Sequence, residues 1–219
     1  MEKLAIEGRI VQVAIDVLTL DEALRIAEAA VKAGADWLEA GTPLITFEGV
    51  RAIGALARAF PGVPVLADYK AMDGVAKYVH ETASQGGRIA TVCAVASDAS
   101  VRAAVSAGRD SGIVVIADLY ACPDVPGRAA QMEALGIDSV YVHWGSDQRA
   151  EQPDRDPQVD VAAVVERVRL PVGVATFSVE DGARAVRQGA CVAVVGVPLI
   201  REPDVEGALR QYVEAVRAA

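Results

Sequence analysis

Eight short apolar runs recur along the chain, each followed by an Ala-rich segment of helical spacing, and this alternation leaves few folds open. The runs are Ile10–Ile15, Trp37–Glu39, Val63–Ala67, Arg88–Val92, Ile113–Ala117, Ser139–Val142, Val172–Ala175 and Cys191–Val195. Their near-continuous hydrophobicity reads as strands buried on both faces, as in a parallel sheet covered by helices. The intervening segments are Leu20–Ala33, Phe47–Phe60, Val75–Ser84, Ala99–Gly108, Gly127–Leu135, Val161–Val168, Val179–Gln188 and Val205–Ala218. A glycine follows several of them closely, as at Gly34, Gly86, Gly136 and Gly189, which is the expected helix stop before a strand. Eight regular strand–helix units in 219 residues favour a single closed (β/α)8 barrel, a TIM barrel spanning residues 1–219, over an open doubly wound sheet. One long polar loop, Gln152–Gln158 with Pro153 and Pro157, follows the sixth strand.

Composition narrows the function classes. The formal net charge is −9 and no block of Lys and Arg occurs, which argues against nucleic-acid binding, since that needs a basic surface. Residues 1–10 lack a signal-peptide pattern and no apolar run is long enough to span a bilayer. The expectation is a soluble cytoplasmic protein that neither enters a membrane nor is secreted. Cys93, Cys122 and Cys191 show no CxxC pair and read as small core residues of a reduced compartment.

A barrel of this kind carries its chemistry at the C-terminal ends of its strands. Reading those positions in order gives Asp16, Glu39, Asp68 with Lys70, Thr91, Asp118, His143, Thr176 and Gly196. An aspartate at a strand end is often only a helix cap or a turn residue. Three carboxylates converging on one barrel mouth repel each other, and burial strengthens the repulsion. A cation is therefore expected among Asp16, Glu39 and Asp68, either Lys70 or a divalent metal with a preference for oxygen ligands such as Mg2+. In the segment Asp68-Tyr69-Lys70-Ala71-Met72-Asp73, an extended backbone turns residues 68 and 70 to the same side. Asp73 falls where the next helix should begin, as its N-cap. His143 closes an apolar strand and is placed to exchange a proton near neutrality. Asp118 is read equally as a structural residue and as a partner of Lys70. His80 lies within a helical segment and is expected on a surface or interface.

These residues resemble the 3-hexulose-6-phosphate synthase and 3-keto-L-gulonate-6-phosphate decarboxylase group of the orotidine-monophosphate decarboxylase superfamily. The resemblance rests on Gln12-Val-Ala-Ile-Asp16, Glu39-Ala-Gly41-Thr-Pro43 with Glu48-Gly49, Ala67-Asp68-Tyr-Lys70-Ala-Met-Asp73, Thr91-Val92 and His143-Trp-Gly145-Ser-Asp147. It implies a carbon–carbon lyase that stabilises an enediolate on a sugar-phosphate-like substrate, with Mg2+ held by Glu39 and Asp68. It also implies that Lys70 bonds the developing oxyanion, Asp16 positions Lys70 and substrate hydroxyls, and His143 moves the proton. Thr91, Asp118, Ser146, Thr176 and Gly196 would contact the substrate. The resemblance further implies a homodimer in which Asp73 reaches the partner's site.

Within that group the decarboxylases carry an arginine three residues after the histidine, where this chain has Ser146, so the synthase pattern is the closer one. The glycine pairs expected after the seventh and eighth strands are altered. Ala175-Thr176-Phe177 has no glycine, and Gly196-Val197-Pro198 keeps one. Thr176 and Ser178 hydroxyls and the charge of Arg201 are the substitutes this reading offers for a phosphate cradle, and a substrate without phosphate is the alternative.

Overall fold

The structure is a computed structural model that describes residues 3–219; residues 1 and 2, which open the stretch expected to show no signal-peptide pattern, lie outside the described residues. Strands β1 (Ile10–Ile15), β2 (Trp37–Ala40), β3 (Val65–Ala71), β4 (Ile89–Cys93), β5 (Val114–Asp118), β6 (Ser139–Val142), β7 (Val172–Thr176) and β8 (Val192–Val195) pair in sequence order. All eight ladders are parallel, and β8 closes on β1 through Ile10 opposite Val192 and Val13 opposite Val195. The fold is the (β/α)8 barrel that the alternation implied.

The outer layer contains α1 (Leu20–Ala33), α2 (Thr42–Glu48), α3 (Arg51–Ala59), α4 (Val75–Ser84), α5 (Asp98–Ser111), α6 (Val125–Leu135), α7 (Ser146–Glu151), α8 (Val161–Arg167), α9 (Val179–Arg187) and α10 (Val205–Ala218). Among the described residues no helix is long and apolar enough to cross a membrane. The glycine stops behave as expected: Gly34 and Gly136 end α1 and α6 in the left-handed conformation, which a side chain would strain.

Strand parity sorts the residues into two cores. Val11, Val13 and Ile15 point outward with Leu38, Ala40 and Ala193 to meet the helices. The alternate residues Ile10, Trp37, Leu66, Ile89, Val114, Ile116, Val192 and Val194 fill the barrel interior. The inward set turns polar one layer further along, at Gln12, Glu39, Asp68, Thr91, Asp118 and His143. An apolar floor thus carries a polar mouth.

Three local departures matter. The expected helix Phe47–Phe60 is two helices, because the chain turns at Gly49, whose φ of 74° interrupts the spiral. Strand β3 runs four residues past its expected end and its register against β4 slips between Ala67 and Ala71. Asp73 does not cap α4: the N-cap is Gly74 at φ 62°, with no side-chain cap, and Asp73 lies exposed in the preceding turn.

Candidate active site

The polar mouth encloses a cavity of about 420 Å³. Asp16, Glu39, Asp68, Lys70, Thr91, Asp118, His143, Ser146, Thr176 and Gly196 all contribute to its wall, and Asp73 does not.

Lys70 organises one side. Its backbone is left-handed, with φ 46°, and its N–H donates to Thr91 Oγ1 at 2.9 Å. The register slip in β3 lets the backbone leave the ladder there, and a conformation uncommon for a residue with a Cβ is held by that bond. The Lys70 ammonium donates to Asp68 Oδ2 and to Thr42 Oγ1 at 3.3 Å, and lies 3.8 Å from Asp118 Oδ2. Asp68 is held on both oxygens: Thr42 Oγ1 donates to Oδ2 at 2.8 Å and Thr91 Oγ1 to Oδ1 at 2.9 Å. Burial alone would lower the Lys70 pKa, but Asp68, Asp118 and Glu39 outweigh it and raise it, so the ammonium stays charged.

The same Asp118 Oδ2 lies 2.9 Å from His143 Nδ1, and Asp118 Oδ1 accepts the Tyr120 N–H at 2.9 Å. Burial pushes the Asp118 carboxyl up, but the His143 charge and hydrogen bond, Lys70 and the Tyr120 N–H hold it below the usual carboxylate range. Burial by itself would lower His143, and Asp118 raises it instead. With Nδ1 committed to Asp118, Nε2 is the ring nitrogen left for a ligand.

Asp16 and Glu39 are balanced less well. Burial, then the charge of Asp68, raises the pKa of both carboxyls; Asp16 also raises Glu39. Asp16 makes no hydrogen bond or ion pair among the described residues. Its carboxylate packs against Gly41, where a Cβ would come within 2.1 Å of Asp16 Oδ1, which explains the glycine of Glu39-Ala-Gly41. Glu39 Oε2 accepts from Gln12 Nε2 at 2.5 Å, and its Oε1 is unbonded among the described residues.

Four carboxylates thus face one ammonium and one imidazole, and a further cation would relieve the two that stand raised. Among the described residues no group of three or more His, Cys, Asp or Glu side chains is arranged to enclose a metal. Mg2+ needs no such cage, since it is commonly bound by one or two carboxylates with water and substrate oxygens completing its shell. The open oxygen of Glu39 and the neighbouring Asp68 are a donor set of that type.

The rim at β7 and β8 departs from the sequence reading. Thr176 has outward parity: its Oγ1 donates to Val194 O at 2.8 Å and lies 2.6 Å from the Tyr212 hydroxyl, so the hydroxyl is turned to α10 and away from the cavity that the residue otherwise lines. Ser178 Oγ caps α9 by accepting from Asp181 N–H, and Arg201 pairs with Glu22 at 2.5 Å. The two hydroxyls are thereby committed, while Arg201 is half exposed and meets Glu22 through one guanidinium nitrogen. The backbone N–H groups of Phe177, Gly196 and Val197, however, take no acceptor among the described residues. Such donors do not require glycine, only that side chains leave room. The Phe177 ring lies under the Arg149 guanidinium, 3.5 Å away.

Sequence reasoning missed Gln12 as a site residue, as well as Thr42, Tyr120 and Tyr141, all on the cavity wall. Gln12 shares parity with Asp16, and Tyr141 with His143, so strand alternation carried the signal for both.

A model of the orotidine 5′-phosphate decarboxylase / HUMPS family matches residues 9–212. The chain is 32% identical over 210 residues to 3-hexulose-6-phosphate synthase 2 of Staphylococcus saprophyticus, covering 94% of this chain and 97% of that one. It is 34% identical over 140 residues to 3-hexulose-6-phosphate synthase of Bacillus subtilis, or 64% and 66% of the two chains. Among solved structures, a 3-hexulose-6-phosphate synthase superposes with a TM-score of 0.90 at 33% identity over 94% of this chain and 99% of that one. KGPDC from Streptococcus mutans gives a TM-score of 0.85 at 21% identity over 96% and 98%, a likeness of fold.

Proposed function

The chain belongs to the orotidine 5′-phosphate decarboxylase / HUMPS family, and from that premise we propose that it is a carbon–carbon lyase of the 3-hexulose-6-phosphate synthase type. It would join formaldehyde to ribulose 5-phosphate, or reverse that step, through an enediolate. The observation that carries this reading is the pairing, within one cavity, of an ammonium held by Asp68 and Thr42 with an imidazole, the two bridged by Asp118. Mg2+ held by Glu39 and Asp68 would supply Lewis-acid stabilisation of negative charge on substrate oxygens.

In the cleavage direction, His143 Nε2 takes the proton of the terminal hydroxyl as the carbon–carbon bond breaks and formaldehyde leaves. The bonding pair passes towards the adjacent carbonyl and gives the enediolate. Lys70 donates to the oxygen on which that charge develops, a contact stronger in the transition state than in the ground state. His143 then returns a proton to carbon, and Asp118 keeps the ring oriented for both transfers. Asp16, which makes no ion pair with the ammonium, orients substrate hydroxyls. Thr91 and Thr42 hold Asp68 and Lys70 in register.

The synthase reading is favoured over a decarboxylase because Ser146 opens α7 where a decarboxylase would place its arginine, while Arg149 lies over Phe177. The free N–H groups of Phe177, Gly196 and Val197 support a phosphorylated substrate. A different distal anion is the second reading, supported by the commitment of the Thr176 and Ser178 hydroxyls elsewhere. The test is formaldehyde release from a 3-hexulose 6-phosphate with and without Mg2+, scored alongside carbon dioxide release from a keto-gulonate phosphate. Absence of Mg2+-dependent formaldehyde release would reject the synthase reading.

We also propose a homodimer. Exposed Met72 beside Asp73, with exposed Phe47, Tyr78 and Val95, supplies apolar surface on this side of the barrel. If Asp73 serves the partner's site, a mixture of inactive Asp73→Ala and Lys70→Ala chains regains activity in mixed dimers; no complementation, or a monomer by light scattering, rejects this arrangement.

A further inference from the structure

A chain of buried hydrogen bonds crosses the barrel just above its apolar floor. The Tyr141 hydroxyl of β6 donates to Gln12 Oε1 of β1 at 2.7 Å, and Gln12 Nε2 donates to Glu39 Oε2 of β2 at 2.5 Å. Gln12 is fully buried, and Glu39 and Tyr141 are each 7% exposed. The order of donors is directional. Because the tyrosine proton points at the amide oxygen, the amide nitrogen is turned to Glu39, and an amide nitrogen can only donate. Glu39 Oε2 is thereby fixed as an acceptor facing Gln12, and Oε1 is left to the cavity.

Room for the tyrosine comes from the adjacent strand, where Gly173 is its register partner. A Cβ on Gly173 of β7 would fall 2.3 Å from Tyr141 Cε1 and 2.4 Å from its Cδ1. The ring can cross to Gln12 only because position 173 has no side chain. Three strands and a glycine on a fourth are thus committed to the orientation of one carboxylate. A glutamate's terminal torsion is otherwise broad, so an unsupported carboxylate would have to be ordered when a ligand binds.

We propose that Tyr141 and Gln12 are positioning residues that orient Glu39 for a divalent cation, with Gly173 making the space that lets Tyr141 reach. The inference rests on the reading of Glu39 as a magnesium ligand. Partners behind a metal ligand typically change metal affinity by about 10–100-fold when removed.

The test is calorimetric titration of MgCl2 into the intact wild-type protein and into Tyr141→Phe, Gln12→Met, Gly173→Ala and Glu39→Gln, with urea unfolding in EDTA run in parallel. Tyr141→Phe keeps the ring and its packing, so its fold is the least disturbed. The expected result is a Kd raised about tenfold in Tyr141→Phe, and by up to about 100-fold in Gln12→Met. Gly173→Ala should follow Tyr141→Phe. A structural role alone would shift the urea midpoint and leave the Mg2+ affinity of the folded protein unchanged. Wild-type Mg2+ affinity in both Tyr141→Phe and Gln12→Met overturns the inference and leaves the metal reading standing. If the wild-type protein and Glu39→Gln bind Mg2+ alike, or neither binds, the metal reading fails and this inference fails with it.

Discussion

Lys70→Met removes the cation from the most crowded part of the site and keeps the bulk of the side chain. The ammonium touches Asp68 and lies 3.8 Å from Asp118 Oδ2. At an effective dielectric constant of about 20, unit charges that far apart attract by roughly 4 kcal/mol before desolvation is subtracted. Breaking one partner out of a buried ion pair destabilises by about 3–5 kcal/mol, because the remaining charge stays buried and unpaired. The Lys70 side chain is 28% exposed and that of Asp68 only 6%, so the lower end of the range applies, about 3 kcal/mol. For a chain of this size that lowers Tm by roughly 6–12 °C. Turnover should fall separately by about 100- to 1000-fold, as for loss of one donor to a developing oxyanion. Urea unfolding in EDTA reads the first effect and formaldehyde release the second. Adding Asp68→Asn to Lys70→Met should recover much of the stability and none of the turnover. A Lys70→Met protein with wild-type urea midpoint and wild-type turnover would refute the electrostatic reasoning outright.

The remaining predictions follow from the same charges. Asp16 and Glu39 have raised folded-state pKa values, so just above the ordinary carboxylate range the folded chain binds more protons than the unfolded chain and stability falls as pH rises. Metal-free protein should therefore melt higher at pH 5 than at pH 7, and Asp16→Asn should shrink that difference while stabilising by roughly 0.5–2 kcal/mol at pH 7. Of the two histidines, His143 should titrate above its ordinary value by NMR and return towards it in Asp118→Asn. Its contribution to stability is present at low pH and is lost as pH rises through the folded value. Mg2+ at about 100 times its Kd should stabilise by roughly 2.7 kcal/mol, an effect that EDTA or Glu39→Gln removes in a thermal melt. Thr176→Val, which strips the Tyr212 hydroxyl of its partner, should lower stability by about 1–3 kcal/mol and leave KM for the sugar phosphate unchanged.

The barrel was legible because its evidence is repeated eight times, as a short near-continuous apolar run followed by an Ala-rich segment of helical spacing. The site was legible where that same pattern ends in a polar residue, as at Asp16, Asp118 and His143. It was misread where parity was not carried through. Thr176 is in step with Val172 and Val174, which point outward, and its hydroxyl accordingly meets Tyr212 of α10. Gln12 and Tyr141 were passed over because they sit within apolar runs rather than at their ends. No local pattern could show that Gly173 makes room for Tyr141, since that depends on the register in which β7 pairs with β6. Asp73 was taken for the N-cap from its place before the helix, whereas Gly74, in the left-handed conformation, holds the cap position next to Val75.

Lys70 itself shows why the site needs an irregular backbone. Regular extension of β3 past Ala67 would give the N–H of residue 70 to a sheet partner and leave Thr91 uncoupled from it. The register slip and the φ of 46° instead bring that N–H onto Thr91 Oγ1, whose own proton goes to Asp68 Oδ1. A left-handed residue with a Cβ is unfavourable by about 1–2 kcal/mol, which the two hydrogen bonds of a buried threonine can offset. The result couples backbone to charge: Thr91 ties the main chain of Lys70 to the same carboxylate that its ammonium meets. Thr91 is on this argument the joint between them rather than a contact to substrate. The same coupling explains how Asp16 and Glu39 are tolerated so near Asp68, since the one resident ammonium is held among them before any ligand arrives.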